Sequence, residues 1–267
     1  MMPISMSTAA LEQTFERTFA VNGPANLEVN LDSGVVRVSV GEPGAIRVRG
    51  ILRARRWLFG LGNCEDRIHW LAANPPIRQD GNSVLIEGDF HDVTILLDIA
   101  VPRDTRVQAR TDSGDIRVEG VTGPVLCESD SGRIEIGNID GGVRATSDSG
   151  SIEIRGLRGG LFAETDSGAI DAVEVAGSVE AETDSGAIRI GQTLAAPVRA
   201  RTDSGAIDLR IAPEAGYNLR VSTDSGSVNL PPLTFQRSRS PHNVEAQVLG
   251  GGPLVDIESD SGSVDIR

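Results

Sequence analysis

The sequence predicts an all-β protein, a single-stranded β-helix or solenoid with coils of about 18 residues and two short strands in each coil. The first observation is a repeated Asp-Ser-Gly triplet. Its copies begin at Asp32, Asp112, Asp130, Asp148, Asp166, Asp184, Asp203, Asp224 and Asp260. The copies from the second to the sixth are evenly spaced, the next two steps are slightly longer, and the last step is twice the regular one. Such a period is typical of a solenoid, in which each coil buries its apolar face against its neighbours.

The second observation is the alternation of apolar and polar side chains inside each coil. In residues 148–165, Ile152 and Ile154 alternate with polar residues, and Leu161 and Ala163 do so again after a Gly-containing turn. This period of two predicts two strands with one buried face each. The left-handed hexapeptide β-helix also has about 18 residues per coil, but it requires an aliphatic residue at every sixth position. Steps of six from Ile152 reach an arginine and a glutamate, which excludes that fold.

The triplet predicts a tight turn between the two strands of a coil. An Asp side chain can accept hydrogen bonds from backbone N–H groups one or two residues ahead, and Gly can adopt positive φ without steric cost. Stacked coils would place the carboxylates about 4.8 Å apart, and Ca²⁺ takes six to eight oxygen ligands, so a calcium column is a second interpretation. Its candidate ligands are Asp112, Asp130, Asp148, Asp166, Asp184 and Asp203. We favour the turn and predict neither a metal nor a cofactor.

The charge of the chain excludes several classes of function. Its 267 residues carry a net charge of −13 with a pI near 4.7, and all 25 basic residues are arginine. Nucleic-acid and anionic-membrane binders present basic surfaces, so we predict neither kind of partner. No stretch approaches the roughly 18 consecutive apolar residues of a membrane span, and residues 1–20 contain no signal-peptide core. The sequence thus predicts a cytoplasmic protein, or a protein of the cell envelope if a native leader is missing.

The residue types that carry catalysis are scarce. The three histidines, His69, His91 and His242, lie outside the regular coils and lack a metal-ligand spacing such as i and i+4. The serines of the triplets have no adjacent base, and local hydrogen bonding is a sufficient role for them. Cys127 takes a small inward position, whereas Cys64 lies in an irregular stretch with no second cysteine nearby. We therefore predict that the protein is not an enzyme.

The departures from the repeat predict the domain organisation. Residues 1–13 are expected to form a flexible tail, and residues 14–110 an N-terminal β section that caps the solenoid. Residues 111–267 contain the regular repeats. An irregular loop is expected at 231–253, where a coil's length of sequence lacks periodicity in its early part.

The last coil is a predicted site of self-association. Val264 and Ile266 resume the repeat, and the chain then stops at Arg267 without a cap. An unpaired terminal strand is a template for edge-to-edge pairing unless another segment covers it. Three possibilities stay open: the 231–253 segment covers this strand, a second subunit covers it, or the strand builds a self-assembling scaffold.

A second candidate partner site is the most aromatic and most basic stretch of the chain. It contains Arg53, Arg55, Arg56, Trp57 and Phe59. One interpretation is a loop or hairpin whose aromatic side chains plug the end of the solenoid core. The other is a partner-binding surface, because Trp and Arg are enriched at interaction hot spots.

The leading functional hypothesis is a non-enzymatic interaction protein that binds a protein or a glycan. A rigid solenoid offers long lateral faces for such partners. The outward residues that would pattern one face are Arg117, Arg133, Glu135, Glu153, Arg155 and Arg189. Self-assembly through the last coil is the alternative, and a calcium-binding module or a glycan-active enzyme is less favoured.

Other motifs accompany the triplets. The run Val-Pro-Arg-Asp-Thr at 101–105 precedes Thr-Asp-Ser-Gly-Asp-Ile at 111–116, and Leu-Glu-Val at 27–29 precedes the first triplet. Together with the successive triplets, over roughly residues 14–267, these motifs resemble the bacterial toastrack family of adhesin-like β-solenoid domains. The resemblance implies a link to adhesion or cell-envelope stress, usually behind a signal peptide or membrane anchor. Most members have no characterised function, and the family supplies no catalytic residues.

Overall fold

A computed structural model describes residues 12–54, 62–88, 93–230, 234–239 and 243–267 of the chain. These residues form 25 strands and one helix, which confirms the predicted all-β solenoid. The strands are β1 (Glu12–Ala20), β2 (Asn26–Leu31), β3 (Val35–Val40), β4 (Ala45–Ala54), β5 (Ile77–Asp80), β6 (Ser83–Gly88), β7 (Val93–Val101), β8 (Arg106–Thr111), β9 (Ile116–Glu119), β10 (Val125–Ser129), β11 (Ile134–Ile139), β12 (Val143–Ser147), β13 (Ile152–Leu157), β14 (Leu161–Thr165), β15 (Ile170–Val175), β16 (Val179–Thr183), β17 (Ile188–Gln192), β18 (Val198–Thr202), β19 (Ile207–Arg210), β20 (Tyr217–Ser225), β21 (Val228–Asn229), β22 (Thr234–Arg239), β23 (Asn243–Val248), β24 (Leu254–Ser261) and β25 (Val264–Ile266). The helix is α1 (Gly62–Ala73).

Two sheets face each other across the core. Sheet A has 12 strands in the order β1-β4-β7-β3-β9-β11-β13-β15-β17-β19-β25-β21. Sheet B has 13 strands in the order β22-β23-β20-β24-β18-β16-β14-β12-β10-β8-β2-β6-β5. Each regular coil contributes one strand to sheet B and, after the Asp-Ser-Gly turn, one strand to sheet A. Neighbouring coils pair in parallel with an offset of one repeat, as β12 does with β14 and β13 with β15.

The inward side chains form continuous columns between the two sheets. Sheet A stacks isoleucines at equivalent positions of successive coils, with Ile152 between Ile134 and Ile170. Sheet B stacks alanines, such as Ala145 against Ala163. All of these side chains are buried. Burial of apolar area contributes about 25 cal/mol per Å², so a thin core that is repeated over many coils stabilises the whole solenoid.

The glycine of each triplet is required by the close approach of consecutive coils. A Cβ atom on Gly168 would overlap the carbonyl oxygen of Gly150 in the preceding coil. The same overlap recurs along a column of glycines. Its members are Gly114, Gly132, Gly150, Gly168, Gly186, Gly205, Gly262 and Gly226. Of the triplet glycines only Gly34 has φ in the left-handed region, so the predicted role of positive φ is wrong for the others.

A buried hydroxyl closes the turn in several of the regular coils. Thr165 Oγ1 accepts a hydrogen bond from the Gly168 N–H at 3.1 Å and donates one to the Gly150 carbonyl oxygen at 3.1 Å. Thr183 makes the same two bonds in the next coil, at 3.1 Å each. The residue before the aspartate therefore holds the turn and links it to the preceding coil. This finding corrects the prediction that the aspartate side chain caps the turn.

We predict that Thr165→Val lowers the free energy of unfolding by about 2–4 kcal/mol, because two buried backbone groups lose their partner and each costs about 1–3 kcal/mol. The substitution keeps the shape of the side chain. Thr165→Ser keeps the hydroxyl and is the control, because serine takes this position in other coils, at Ser129 and Ser147. Urea denaturation followed by circular dichroism measures both variants. Equal losses of stability in the two variants would contradict the hydroxyl bridge.

The last coil in the sequence is not the last coil in space. Strand β25, which carries Val264 and Ile266, pairs in parallel with β19 on one side and with β21 on the other. Strand β24 likewise lies between β18 and β20. The two side chains are 0% and 1% exposed. The prediction of an unpaired terminal strand is therefore wrong, because the C-terminal coil inserts between two coils that are consecutive in sequence.

The connection between β19 and β20 passes over the inserted coil. Residues 211–216 join β19 to β20 and span two coil spacings, about 10 Å, instead of one. The buried Tyr217 hydroxyl at the end of the connection donates to Gln192 Oε1 at 3.0 Å and accepts from the Ala212 N–H at 3.2 Å. These bonds anchor the connection to the coil that contains β17.

The N-terminal end is built in the same way. Strands β2 and β3, which flank the first triplet, lie between the coil of β6 and β7 and the coil of β8 and β9. The triplets at Asp32 and Asp112 are far apart in sequence but are therefore neighbours in space. Strands β1 and β4 and helix α1 complete this end, with Ile68 and Leu71 of the helix buried. The described ranges contain no helix that is long and apolar enough to cross a membrane.

Three expectations about irregular segments are corrected. The predicted loop 231–253 contains strands β22 and β23, and β23 pairs with β20 in antiparallel orientation. The stretch before Ile77, which showed no regular pattern, contains helix α1. Residues 12 and 13 of the predicted tail belong to β1, whereas residues 1–11 lie outside the described residues.

Candidate functional site

The lateral face predicted from the sequence lies on the outside of sheet A. Arg117 Nη1 approaches Glu135 Oε2 one coil away at 3.2 Å, and Arg133 Nη1 approaches oxygens of Glu135 and Glu153 at 3.6 and 3.7 Å. Several of these side chains and Arg155 line a groove of about 350 Å³. Surface ion pairs of this kind contribute about 0–1 kcal/mol each. The face is exposed as predicted, but most of its charges pair with one another.

Sheet B carries a different surface, which we call the Phe162 patch. It consists of the outward side chains Leu126, Arg144 and Phe162, which lie side by side on β10, β12 and β14. The Arg144 guanidinium stacks over the Phe162 ring, 4.0 Å from the ring centroid. A cation–π contact at an exposed position contributes about 0.5–1 kcal/mol. The patch and Arg106 line a groove of about 420 Å³ on the outside of the sheet.

Arg144 differs from other arginines of sheet B in its neighbours. Arg110 and Arg201 each bind a glutamate on an adjacent strand. Arg144 instead has an apolar side chain on either side. In the part of the chain that the structure describes, no carboxylate lies within ion-pair distance of Arg144 or of Arg106. The patch therefore places an arginine that has no ion-pair partner among the described residues beside apolar side chains, with Glu180 on β16 at its border.

The sequence contains a signal for the Phe162 patch that is separate from the Asp-Ser-Gly repeat. Apolar residues are expected to point inward, yet Leu126 and Phe162 occupy outward positions of their strands. The offset of one repeat between paired strands places them on either side of Arg144. Outward apolar residues two coils apart, with an arginine between them, would have identified this surface.

The structure describes one residue of the predicted Arg- and Trp-rich site. Arg53 is exposed, and its Nε donates a hydrogen bond to Glu12 Oε2 at 2.7 Å. The other four residues lie outside the described residues, so their role stays a prediction. They are Arg55, Arg56, Trp57 and Phe59. Val264 and Ile266, the other predicted contact residues, are buried between strands and are not available to a partner.

The aspartates of the less favoured calcium interpretation lie at the turns along one side of the solenoid. Their carboxylates are exposed, and within the described ranges they take part in no hydrogen bond or ion pair. Those ranges also contain no group of three or more His, Cys, Asp or Glu side chains arranged to hold a metal ion. The members of the column are Asp112, Asp130, Asp148, Asp166, Asp184 and Asp203. The geometry gives the calcium interpretation no support.

Comparison with known families identifies the family to which the repeats belong. The family model described as Toastrack DUF4097 matches residues 80–267, which include every regular coil and the inserted C-terminal coil. The chain belongs to the Toastrack family. This result confirms the resemblance drawn from the triplets and from the motif at 101–105. No curated protein matches the Toastrack chain.

Two solved structures are similar to the Toastrack chain. One is described as a "putative adhesin" from Bacteroides fragilis NCTC 9343, with 13% identity, a TM-score of 0.50, and coverage of 96% of this chain and 97% of the other. The second is described as a "putative cell adhesion protein" from Clostridium sporogenes ATCC 15579, with 14% identity, a TM-score of 0.28, and coverage of 95% and 99%. At 13% identity the first similarity establishes a shared fold and nothing about function. The TM-score of the second is too low to support a conclusion.

Two buried polar groups of the Toastrack chain are held in their neutral forms. Desolvation by burial, and then the charge of Glu128, raise the pKa of the Cys127 thiol. A neutral thiol is a poor nucleophile and a poor metal ligand. Burial also raises the pKa of Tyr217, and the hydrogen bond from the Ala212 N–H opposes that shift. Both groups therefore serve packing and hydrogen bonding in the core.

Ion pairs hold the inserted C-terminal coil on its outer surface. Arg201 on β18 binds Glu258 on β24, and this hydrogen bond, followed by the glutamate charge, raises the pKa of Arg201. Arg267 Nη2 lies 2.8 Å from Asp208 Oδ2 on β19. The hydrogen bond to Asp265 and the charge of Asp208 raise the pKa of Arg267. These contacts tie the last strands to the coil that precedes them in space.

Proposed function

We propose that this Toastrack chain is a non-enzymatic, adhesin-like interaction protein that binds a protein or glycan partner through the Phe162 patch. The observation that carries the proposal is the position of Arg144 between Leu126 and Phe162, with no carboxylate beside it among the described residues. Exposed apolar surface that is rimmed by polar residues is typical of interaction sites. The paired charges on sheet A make that face less available to a partner.

The patch combines contact types that recognition uses. The Arg144 guanidinium can donate two parallel hydrogen bonds to a carboxylate, phosphate or similar anion. Phe162 and Leu126 supply apolar area for an aliphatic or aromatic side chain, or for the apolar face of a sugar. Strands in register hold these side chains in place before binding, which reduces the entropy lost on association. We therefore expect the partner to carry an anionic group next to an apolar one.

Binding is better supported than catalysis. The groove beside the patch is lined by Arg106 and Arg144 together with apolar and small residues, and it contains no carboxylate or imidazole to act as a general base. On sheet A, Glu135 and Glu153 line a groove, but each of them lies in an ion pair with an arginine. The similar structure from Bacteroides fragilis is described as a "putative adhesin", which is consistent with a binding role for this chain.

Binding of the full chain to immobilised acidic glycans and extracellular proteins tests this function. The double variant Arg144→Glu, Phe162→Ser should lower the affinity at least about ten-fold, because a hot-spot contact is worth about 1.4 kcal/mol or more and that energy is a factor of ten. Arg189→Glu is the control, since it makes the same charge change on sheet A. Unchanged melting temperatures would establish that both variants are folded. Equal affinities of the wild type and the double variant would rule out the patch.

A further inference from the structure

Strand β1 forms an open edge of sheet A. It pairs with β4 over all nine of its residues without a register shift. Within the described ranges no strand pairs with its other side. It contains neither proline nor lysine, the residues that often protect such edges. An edge of this length is a template for one more strand.

The backbone direction along β1 follows from one hydrogen bond. Val21 and Gly44 continue the register of β1 and β4, and the Val21 N–H donates to the Gly44 carbonyl at 2.9 Å. In an antiparallel ladder, two directly opposite residues either bond each other through both N–H and C=O groups, or point these groups away from the partner strand. The two kinds of residue pair alternate along the strands. Odd-numbered residues of β1 therefore bond β4, and even-numbered residues point to the open side. The Ala20 carbonyl fits this assignment, because it does not bond β4 and instead accepts a hydrogen bond from Gln79 Nε2 at 2.7 Å.

Only part of the open side is occupied. Gln79 covers the Ala20 carbonyl at one end, and Arg17 Nη1 donates to the Glu16 carbonyl at 2.9 Å. In the part of the chain that the structure describes, no group outside the strand binds the backbone of Thr14 or Thr18. The part of the edge that is available for pairing with another strand is therefore centred on the first seven residues of β1.

We propose that a second copy of the chain pairs with β1 in antiparallel orientation about a two-fold axis, with Phe15 opposite Phe15 of the second copy. In this register the outward backbone groups of Glu12 meet those of Thr18, and those of Thr14 meet those of Glu16. Both pairings join groups that already point to the open side. The two Phe15 residues lie opposite each other at the axis on the inner face, where each ring is buried over Gly50 of its own β4.

Charge selects this register over its neighbours. Alternative registers of the two β1 strands must also pair even-numbered residues with even-numbered residues, because only these present backbone groups to the open side. The same condition keeps the inner faces of both copies on one side of the sheet, so allowed registers differ in steps of two residues. One step in one direction places Glu12 opposite Glu16, and one step in the other places Glu16 opposite itself. Like charges directly opposite each other are destabilising. In the proposed register Gln13 lies opposite Arg17, and no like charges meet.

The proposed contact closes on itself. A two-fold interface uses the same surface on both copies, so association stops at the dimer and does not continue into a filament. The A sheets of the two copies then form one continuous sheet. The Phe162 patches lie on the other sheet and are left open, so the dimer would present two of them and gain avidity for a multivalent partner.

Sedimentation equilibrium of the full chain, from micromolar to millimolar concentration, tests the proposal. Thr14→Glu places a glutamate opposite Glu16 twice in each dimer and should weaken the dimer about ten-fold, whereas Thr14→Arg should strengthen it about ten-fold. Thr14 is exposed on the outer face, so both variants should keep their melting temperature. Thr94→Glu is the control, because Thr94 is an exposed threonine of β7 inside the same sheet. Its dimer should be unchanged.

Amide hydrogen exchange gives a second measurement. The amides of Thr14 and Thr18 should exchange more slowly in the dimer than in the monomer. A chain that stays monomeric at millimolar concentration would overturn the proposal, as would a dimer that responds equally to Thr14→Glu and Thr94→Glu. Protection of these amides in the monomer would also overturn it, since another segment of the same chain would then cover the edge.

Discussion

Replacing Gly168 by alanine is expected to lower the free energy of unfolding by about 4 kcal/mol or more, the range of severe core defects. The added Cβ would overlap the Gly150 carbonyl oxygen and lie 2.8 Å from the Thr165 hydroxyl. The carbonyl belongs to backbone in the preceding coil, so it cannot rotate away as a side chain could. Relief requires the two coils to separate, which breaks the hydroxyl bridge between them as well. Typical domains have a total stability of about 5–15 kcal/mol, so this loss is a large fraction of it.

Gly142→Ala is the matched control for this prediction. A Cβ on Gly142 would have the Gly160 carbonyl oxygen as its nearest neighbour, at 3.8 Å, which is an ordinary contact. Replacing glycine by alanine at a compatible position is neutral or stabilising by about 0.4–1 kcal/mol. Urea denaturation midpoints of the two variants give the comparison. A Gly168→Ala protein as stable as Gly142→Ala would show that the coils can move apart at little cost.

Val264→Lys is expected to destabilise the C-terminal coils by about 4 kcal/mol or more, because it buries an unpaired charge. Val264 is fully buried, and it lies between Ile207 on β19 and Val228 on β21. The lysine would have to displace β21 to reach solvent, and β20 would lose the inserted β24 as a well-packed neighbour. Thermal unfolding measures the loss, and hydrogen exchange should locate it in residues 198–267.

Val228→Lys is the comparison that separates chain order from spatial order. Val228 lies on the terminal strand β21 and is partly exposed, so a lysine there can extend into solvent and should cost about 1 kcal/mol. If coils were stacked in chain order, Val228 would be interior and Val264 terminal, and the two effects would be reversed. A larger loss for Val228→Lys than for Val264→Lys would therefore contradict the inserted coil.

The repeat spacing and the alternation of side chains determined the coil from the sequence alone. The alternation by itself assigns Ile152 and Ala163 to the core, and Arg117 and Glu135 to the outer face. A period of two sends neighbouring side chains to opposite faces, and a constant offset of one repeat keeps each position beside its equivalent in the next coil. Strand geometry and register thus assign each side chain of a coil either to the core or to the outer face. The resemblance to the toastrack family rests on the same repeat pattern.

The tertiary structure alone decided which coils are neighbours at the two ends. Every coil presents similar inward side chains, so the coil of Val264 can stack between β19 and β21 as well as at the end of the row. Connections at the two ends, such as 102–105 and 211–216, reach past one coil, and the sequence pattern contains nothing that separates the two orders. The glycine column and the Thr165 hydroxyl bridge depend on how closely coils approach each other, which the sequence pattern does not give. Each is a contact between coils, and a contact between coils exists only once the neighbours are set.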